Sequence, residues 1–143
     1  MERKIIWMRF LTLGISLMCM PTFVQCKKRV DYFVRADFVY VNNTDLVIEV
    51  KSGADNFTIK PQETDTIKIN GEGPQEVTEK NYLPPFQGGQ IIIYGNIKCD
   101  TLTIPRESIT GIDNYTSEKI GERYFRFTYT FTDADFADAK PCK

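Results

Sequence analysis

The strongest constraint on the fold is the alternation of side chains in residues 124–131. Phe125, Phe127, Tyr129 and Phe131 are separated by single Arg or Thr residues. Since successive side chains of a β-strand point to opposite faces, these four aromatic rings share one face. Burying such rings supplies much of the apolar area that a small domain needs, so the pattern predicts a strand packed on a core. An aromatic ligand platform is the less favoured interpretation.

Short strands of the same kind recur along the chain. Runs rich in β-branched and aromatic residues are separated by clusters of Gly, Pro, Asn and Asp, and no long segment of helical periodicity lies between them. This pattern predicts an all-β fold, built as an antiparallel sandwich or barrel. The predicted strands are residues 33–41, 46–51, 57–60, 66–70, 90–94, 97–104 and 123–132.

The connections carry turn residues. Asn-Asn-Thr-Asp at 42–45 predicts a hairpin loop between the first two strands, and Gly95-Asn96 supplies the positive φ of a two-residue hairpin. The continuous apolar run at 91–94 predicts a central strand covered on both faces or leaning on a partner.

A short helix is predicted after the aromatic strand. Thr132 is a candidate N-cap with Asp135 three residues later, and the helix should end near Lys140. Asp133 and Asp138 complete a group of three carboxylates that suggests calcium. The segment lacks the Gly and the Glu of an EF-hand loop, so capping explains the carboxylates better and no metal site is predicted.

The first residues of the chain have the features of a cleaved signal peptide. Arg3, Lys4 and Arg9 precede an uncharged apolar segment at 10–20, which is too short for a membrane-spanning helix of about 20 residues. The predicted organisation is a lipoprotein signal peptide at 1–25, a tether at 26–32 and a single β-sandwich domain at 33–143.

Cys26 follows the apolar segment and precedes two lysines, Lys27 and Lys28. This arrangement resembles the lipidation site of bacterial lipoproteins, and Bacteroidota lipoproteins are similar in often beginning with Cys-Lys-Lys. Phe23 and Gln25 depart from the Leu and the small residue that are usual at those positions. The resemblance implies a lipid on Cys26 that anchors the protein to a membrane. Plain secretion is the alternative.

Two further cysteines, Cys99 and Cys142, belong to the predicted exported part. Cleavage before Cys26 leaves 118 residues with 15 basic and 18 acidic side chains, a net side-chain charge near −3. In an oxidising compartment Cys99 and Cys142 are candidates for a disulfide, with two buried free thiols as the alternative.

Composition excludes several classes of function. The chain has no histidine, which removes Ser-His-Asp and Cys-His catalysis and the common zinc sites. Its formal charge of −1 gives no electrostatic reason to expect a nucleic-acid partner. No phosphate-binding loop or serine-nucleophile motif occurs, and no cofactor is predicted. A pair of carboxylates could still support glycoside hydrolysis.

The segment around residues 82–89 is the longest predicted to be neither strand nor helix. Its two prolines and two glycines exclude pairing in a sheet, and it carries two large rings, Tyr82 and Phe86. These rings are the candidate binding contacts, because exposed aromatic side chains on a rigid scaffold suit recognition. The alternative is that both rings fold back and cap one end of the sandwich.

Thr66 and Thr101 each follow an aspartate and precede an apolar residue. These tripeptides resemble the Asp-Ser/Thr-apolar sequence that receives O-glycans on exported Bacteroidota proteins, so both threonines are candidate O-glycosylation sites. Both can equally be ordinary strand residues.

Residues 112–115 and 124–139 resemble the ending of small uncharacterised Bacteroidota lipoproteins, which close with an aromatic strand, a Thr-x-x-Asp start and a short acidic helix. The resemblance implies an immunoglobulin-like β-sandwich with a short C-terminal helix, preceded by a cleaved signal peptide and tethered to the outer membrane. It provides no catalytic residue.

We therefore expect a lipid-anchored, extracytoplasmic binding or surface-assembly module without catalytic activity, whose partner is an envelope protein or a glycan. The alternative is an envelope hydrolase or inhibitor that uses a carboxylate pair. Basic residues at 27–29 replace the acidic export signal of surface-displayed lipoproteins in this group. This difference favours the periplasmic side of the outer membrane.

Overall fold

The aromatic alternation forms the strand that the sequence predicts. The computed structural model describes residues 32–52, 55–103 and 106–142, and within them the strand spans Tyr124–Phe131. Its aromatic side chains at 125, 127, 129 and 131 are buried, whereas the residues between them are exposed or half-buried. One face of this strand therefore belongs to the core.

The described residues are mostly β-structure. The strands are β1 (Tyr32–Asn42), β2 (Ile48–Ser52), β3 (Asp55–Ile59), β4 (Thr64–Gly73), β5 (Gln90–Tyr94), β6 (Lys98–Leu102), β7 (Thr116–Gly121), β8 (Tyr124–Phe131) and β9 (Lys140–Pro141). One α-helix, α1 (Asp133–Asp138), precedes β9, and single 3₁₀ turns occur at Glu79–Asn81, Ser108–Thr110 and Ile112–Asn114.

The strands form two sheets that pack face to face as a β-sandwich. One sheet has four strands in the order β4-β1-β8-β7, and the other has five in the order β3-β2-β5-β6-β9. β1 and β8 are parallel, which departs from the expected antiparallel arrangement, while the other pairs within the described residues are antiparallel.

Aromatic rings fill the space between the sheets. Phe38 of β1 stacks on Phe127 of β8 with 5.0 Å between ring centroids. Tyr40 of β1 contacts Phe57 of β3 across the sandwich at 5.1 Å. Apolar side chains of the five-stranded sheet, such as Ile92, are also fully buried in this cluster. Burial of this apolar area is the main contribution to the stability of the fold.

The loop at 42–45 is not a hairpin, because it carries the chain from β1 in one sheet to β2 in the other. Asn42 is fully buried there. Its Nδ2 donates to the carbonyl oxygens of Leu46 (2.7 Å) and Lys60 (3.0 Å). Its Oδ1 accepts the backbone N–H of Thr44 at 3.1 Å and the hydroxyl at 2.8 Å. The same turn residues that suit a hairpin thus organise a crossover between sheets.

Replacing Asn42 with alanine should lower the free energy of unfolding by about 2–3 kcal/mol, since several buried backbone groups lose their partner. Asn43→Ala is the matched control, because Asn43 is exposed and the bond from its backbone N–H to Phe131 O survives the change. Urea denaturation of both variants measures the difference. Equal stability of the two would contradict the role assigned to Asn42.

The hairpin and the positive φ values predicted at Gly95 and Asn96 are confirmed, but the loop has three residues, 95–97, because Tyr94 pairs with Lys98. Gly95 and Asn96 have φ values of 56° and 59°, in the left-handed region, and Ile97 N–H donates to Tyr94 O at 3.0 Å. The strand before it, β5, lies at the centre of its sheet. It is only partly covered on its outer face, because Ile91 there is 38% exposed.

Two strands, β7 and β9, were missed by the sequence patterns. β7 lies at the edge of the four-stranded sheet and its residues from 116 to 120 are all exposed, so it has no apolar face to create a period of two. β9 has only two residues and pairs with the start of β6.

Helix α1 begins as predicted. Asp135 Oδ2 accepts the backbone N–H of Thr132 at 2.7 Å and its hydroxyl at 2.8 Å. The helix ends at Asp138, slightly earlier than expected. Lys98 of β6 holds the helix on the sheet, since its Nζ donates to Phe136 O at 2.9 Å and lies 4.6 Å from the Phe136 ring centroid. This contact provides the docking that a helix of this length requires.

Cys99 and Cys142 are joined by a disulfide, with their Cα atoms 4.9 Å apart. The bond attaches the C-terminal tail to β6, beside the short pairing with β9. Among the helices of the described ranges, none has the length and apolar character needed to cross a membrane.

Candidate functional site

The segment at 82–89 packs its two aromatic rings into the sandwich. Tyr82 is buried, its ring centroid lies 5.3 Å from that of Phe127, and its hydroxyl donates to Arg123 O at 3.0 Å. Phe86 is 6% exposed and lies 5.7 Å from the ring of Tyr40. This burial corrects the expectation that Tyr82 and Phe86 form a contact surface. Both rings fold back into the core instead.

Backbone geometry holds this segment in place. Gly88 and Gly89, which precede β5, have φ values of 121° and 73°. Glycine adopts such positive φ values without strain because it has no Cβ. Gly88 N–H donates to Gln90 Oε1 at 2.7 Å, and Gln87 Nε2 donates to Pro84 O at 2.8 Å. The large side chain that this segment does expose is Leu83.

The outer face of the four-stranded sheet is a better candidate for recognition. Because side chains alternate along β1, its even-numbered residues enter the core and its odd-numbered residues face outward. Neighbouring strands add outward side chains at the same level. Together they line a shallow depression of about 290 Å³, formed by Phe33, Arg35, Asp37, Lys68, Asn70 and Tyr124.

The depression combines an exposed ring with two cations. Phe33 is 55% exposed, and the guanidinium carbon of Arg35 lies 5.2 Å from its ring centroid. Within the part of the chain that the structure describes, neither Arg35 nor Lys68 has a carboxylate within 4 Å. No described carboxylate therefore neutralises either positive group by an ion pair.

Polar groups orient the rest of this surface. Tyr124 donates its hydroxyl to Asp37 Oδ2 at 2.5 Å, joining β8 to β1. This hydrogen bond raises the pKa of Tyr124 above its ordinary value, with smaller contributions from burial and the charge of Asp37. Asp37 is therefore held in one orientation as an acceptor, opposite Lys68 of β4.

A second depression, of about 430 Å³, lies beside the disulfide. Its lining includes two carboxylates, Asp100 and Asp138, with Lys140 between the same walls. The alternative hydrolase hypothesis points to this place, because two acids face one cavity. The third acid of the C-terminal segment, Asp135, is engaged in capping α1. Over the described ranges, no group of three or more metal-ligating side chains is found.

Buried tyrosines form a hydrogen-bonded network in the core. The hydroxyls of Tyr40 and Tyr115 lie 3.1 Å apart, and Tyr115 also donates to Ile109 O at 2.7 Å. The hydroxyl of Tyr129 lies 2.9 Å from that of Ser108. Each buried hydroxyl is thereby satisfied, as the interior of a protein requires, so this network is structural.

Burial raises the pKa of these tyrosines, to about 12 for Tyr129 and higher for Tyr40 and Tyr115. A folded pKa above the unfolded value of about 10 stabilises the neutral, folded form. The free energy of unfolding should therefore lose this contribution only as the pH rises above about 10. Urea titrations across the alkaline range, read beside tyrosinate absorbance, measure it. Ionisation of these tyrosines near pH 10 without unfolding would contradict the prediction.

The two candidate glycosylation sites are accessible. Thr66 on β4 and Thr101 on β6 both have exposed side chains. Thr66 lies on the outer face of the four-stranded sheet, whereas Thr101 lines the depression beside the disulfide. O-glycosylation stays a prediction for both. Cys26 lies outside the described residues.

No protein-family model matches the chain, and no curated protein matches it. Among solved structures, it is similar to the crystal structure of the C-terminal fragment of pilus adhesin SpaC from Lactobacillus rhamnosus GG, with 11% identity and a TM-score of 0.20. The match covers 78% of this chain and 46% of that chain, so the present chain spans less than half of the adhesin fragment.

Proposed function

We propose that this protein is an exported, lipid-anchored binding module without catalytic activity, and that its ligand is an acidic glycan of the cell envelope. The contact surface in this proposal is the depression on the outer face of the four-stranded sheet. We also assign its sandwich to the immunoglobulin-like class and the chain to the small Bacteroidota lipoproteins that it resembles.

The observation that carries the binding proposal is the pair of cations, Arg35 and Lys68, that have no ion-pair partner within the described residues. They lie beside the exposed ring of Phe33, on a domain whose exported part has a net side-chain charge near −3. A guanidinium matches the geometry of a carboxylate, so a uronic or sialic acid fits Arg35.

The remaining groups suit a sugar ring. Phe33 provides an apolar surface for the C–H face of a sugar, while Asn70 and Asp37 can bond hydroxyl groups. The surface is a shallow depression on a sheet, which an extended chain of sugars can cross. An open and polar surface of this kind supports binding better than it supports a reaction that must exclude water.

Lipidation of Cys26 would place this surface close to the outer membrane, with the periplasmic side favoured over the outside of the cell and free secretion as the alternative. Metabolic labelling with palmitate tests the anchor. We expect label on the wild type and none on Cys26→Ala. Equal labelling of both would refute the anchor and leave the binding surface untouched.

Binding is tested with an array that carries uronate-containing, sialylated and neutral oligosaccharides. We expect the full-length protein to bind only the spots that carry acidic glycans. Arg35→Ala should weaken that binding by about ten- to a hundredfold, because a hydrogen bond to a charged group contributes about 1.5–3 kcal/mol.

Lys51→Ala is the matched control, since Lys51 is an exposed lysine on the outer side of the other sheet. We expect it to bind like the wild type. Retention of neutral and acidic glycans alike, or equal loss in the two variants, would contradict the proposal.

A further inference from the structure

The edge of the four-stranded sheet at β4 is long, and no described residue pairs with its outer side. Within the described part of the chain, β4 pairs with β1 on one side and with no strand on the other. Seven of its ten residues are exposed, which is unusual for a strand of this length. An uncovered edge offers backbone N–H and C=O groups to another strand.

The hydrogen-bond pattern identifies which residues face this edge. Asn42 N–H donates to Glu63 O at 2.9 Å, so the odd-numbered residues of this segment point their backbone groups at β1. Because antiparallel ladders alternate, the even-numbered residues of β4 point theirs outward. Those residues are Thr64, Thr66, Lys68, Asn70 and Glu72.

Only three of these five residues can pair with another strand through their backbone groups. The N–H of Thr66 already donates to Asp65 Oδ1 at 2.7 Å. At the other end, Pro74 has no N–H to offer. The edge that can accept a strand is therefore formed by Lys68, Asn70 and Glu72.

We propose that this edge pairs with the same edge of a second copy of the chain, antiparallel and with the two-fold axis at Asn70. In this register Lys68 lies opposite Glu72 of the second copy, and the symmetric pair repeats it. Arg35 lies on β1, away from this edge, and is the cation that the dimer leaves to a ligand. Three facing pairs that each exchange two backbone bonds form about six hydrogen bonds. The two sheets then join into one continuous sheet.

Charge selects this register over its neighbours. An axis at Ile69 would place Lys68 opposite Asn70, and an axis at Gly71 would place Asn70 opposite Glu72, so neither forms the Lys68–Glu72 pair. An axis at Lys68 or at Glu72 would place two like charges opposite each other, which is unfavourable. The inner side also fits. Ile69, 38% exposed, faces Gly71 of the second copy, where an added Cβ would meet no atom within 4 Å.

Disulfide trapping of the full-length protein in detergent tests the pairing. Asn70→Cys should form a covalent dimer under mild oxidation, because the two Cα atoms would lie about 5.5 Å apart. Thr64→Cys is the matched control on the same strand and face, outside the paired region, and the wild type accounts for the native cysteines. Absence of the dimer in Asn70→Cys, or equal dimer in Thr64→Cys, overturns the proposal.

Charge reversal tests the register by sedimentation of the full-length protein in detergent. Lys68→Glu should weaken association by about tenfold or more, since two attractive pairs become repulsive. Adding Glu72→Lys to it should restore association close to the wild-type value. A monomeric wild type, or a double variant as weak as Lys68→Glu, overturns the proposal. Neither readout involves a glycan or a lipid, so failure here leaves the proposed function standing.

Discussion

Phe86→Ala should lower the free energy of unfolding by about 3–5 kcal/mol, the cost of removing a buried ring and leaving a cavity. The ring is 6% exposed and contacts the rings of Tyr40 and Phe57, at 5.7 Å and 6.1 Å. The two prolines directly before it restrict the backbone and so limit how far the segment can collapse into the gap. We expect a fall in melting temperature of more than about 10 °C.

Leu83→Ala, in the same segment, is the control for this effect. Leu83 is 68% exposed, so its removal should change the unfolding free energy by less than about 0.5 kcal/mol. The two variants together separate a core role from a contact role. Unchanged melting of Phe86→Ala would show that the ring does not close the sandwich.

Removing the disulfide should have a similarly large effect. Cys99 and Cys142 are 43 residues apart. Releasing a loop of that size increases the entropy of the unfolded chain, which lowers its free energy by about 4 kcal/mol at room temperature. We expect the double variant Cys99→Ser/Cys142→Ser to lose about that much free energy of unfolding in urea. The backbone bond from Cys142 N–H to Ile97 O, 3.3 Å long, should also exchange its hydrogen faster.

Wild-type protein with a reductant is the matched control for this prediction. It should reach the stability of the double serine variant, because both lack the same covalent bond. A double variant as stable as the oxidised wild type would show that the disulfide contributes nothing to the stability of the fold.

The parts of the fold that the sequence predicts are those with a strong local signal. The strand β8 was found because its four core rings alternate with polar residues, and α1 because Thr132 and Asp135 form a recognisable cap. The crossover after β1 was misread as a hairpin, since Asn42 and its neighbours suit either connection. Which strands pair is decided by contacts that are distant in sequence.

In the candidate site too, local sequence patterns predict some of the residues, whereas contacts between distant strands bring the others to them. Phe33 and Arg35 could have been noted as outward residues of a predicted strand, because they alternate with buried ones. Their neighbours Lys68 and Tyr124 come from strands far along the chain, so no local pattern could group the four. Conversely, the prolines and glycines around Tyr82 and Phe86 suggest an exposed contact surface. Both rings are buried, which agrees with the alternative that they fold back onto the sandwich.

Binding of an acidic glycan to the outer face of the four-stranded sheet can be located by a nuclear magnetic resonance titration of the isotope-labelled, full-length protein in detergent with an acidic oligosaccharide. We predict that the amide signals that move belong to the outer face of the four-stranded sheet, around Phe33, Arg35, Lys68 and Tyr124. Signals that move instead in the 82–89 segment or beside the disulfide, or no movement at all, would contradict the proposed function.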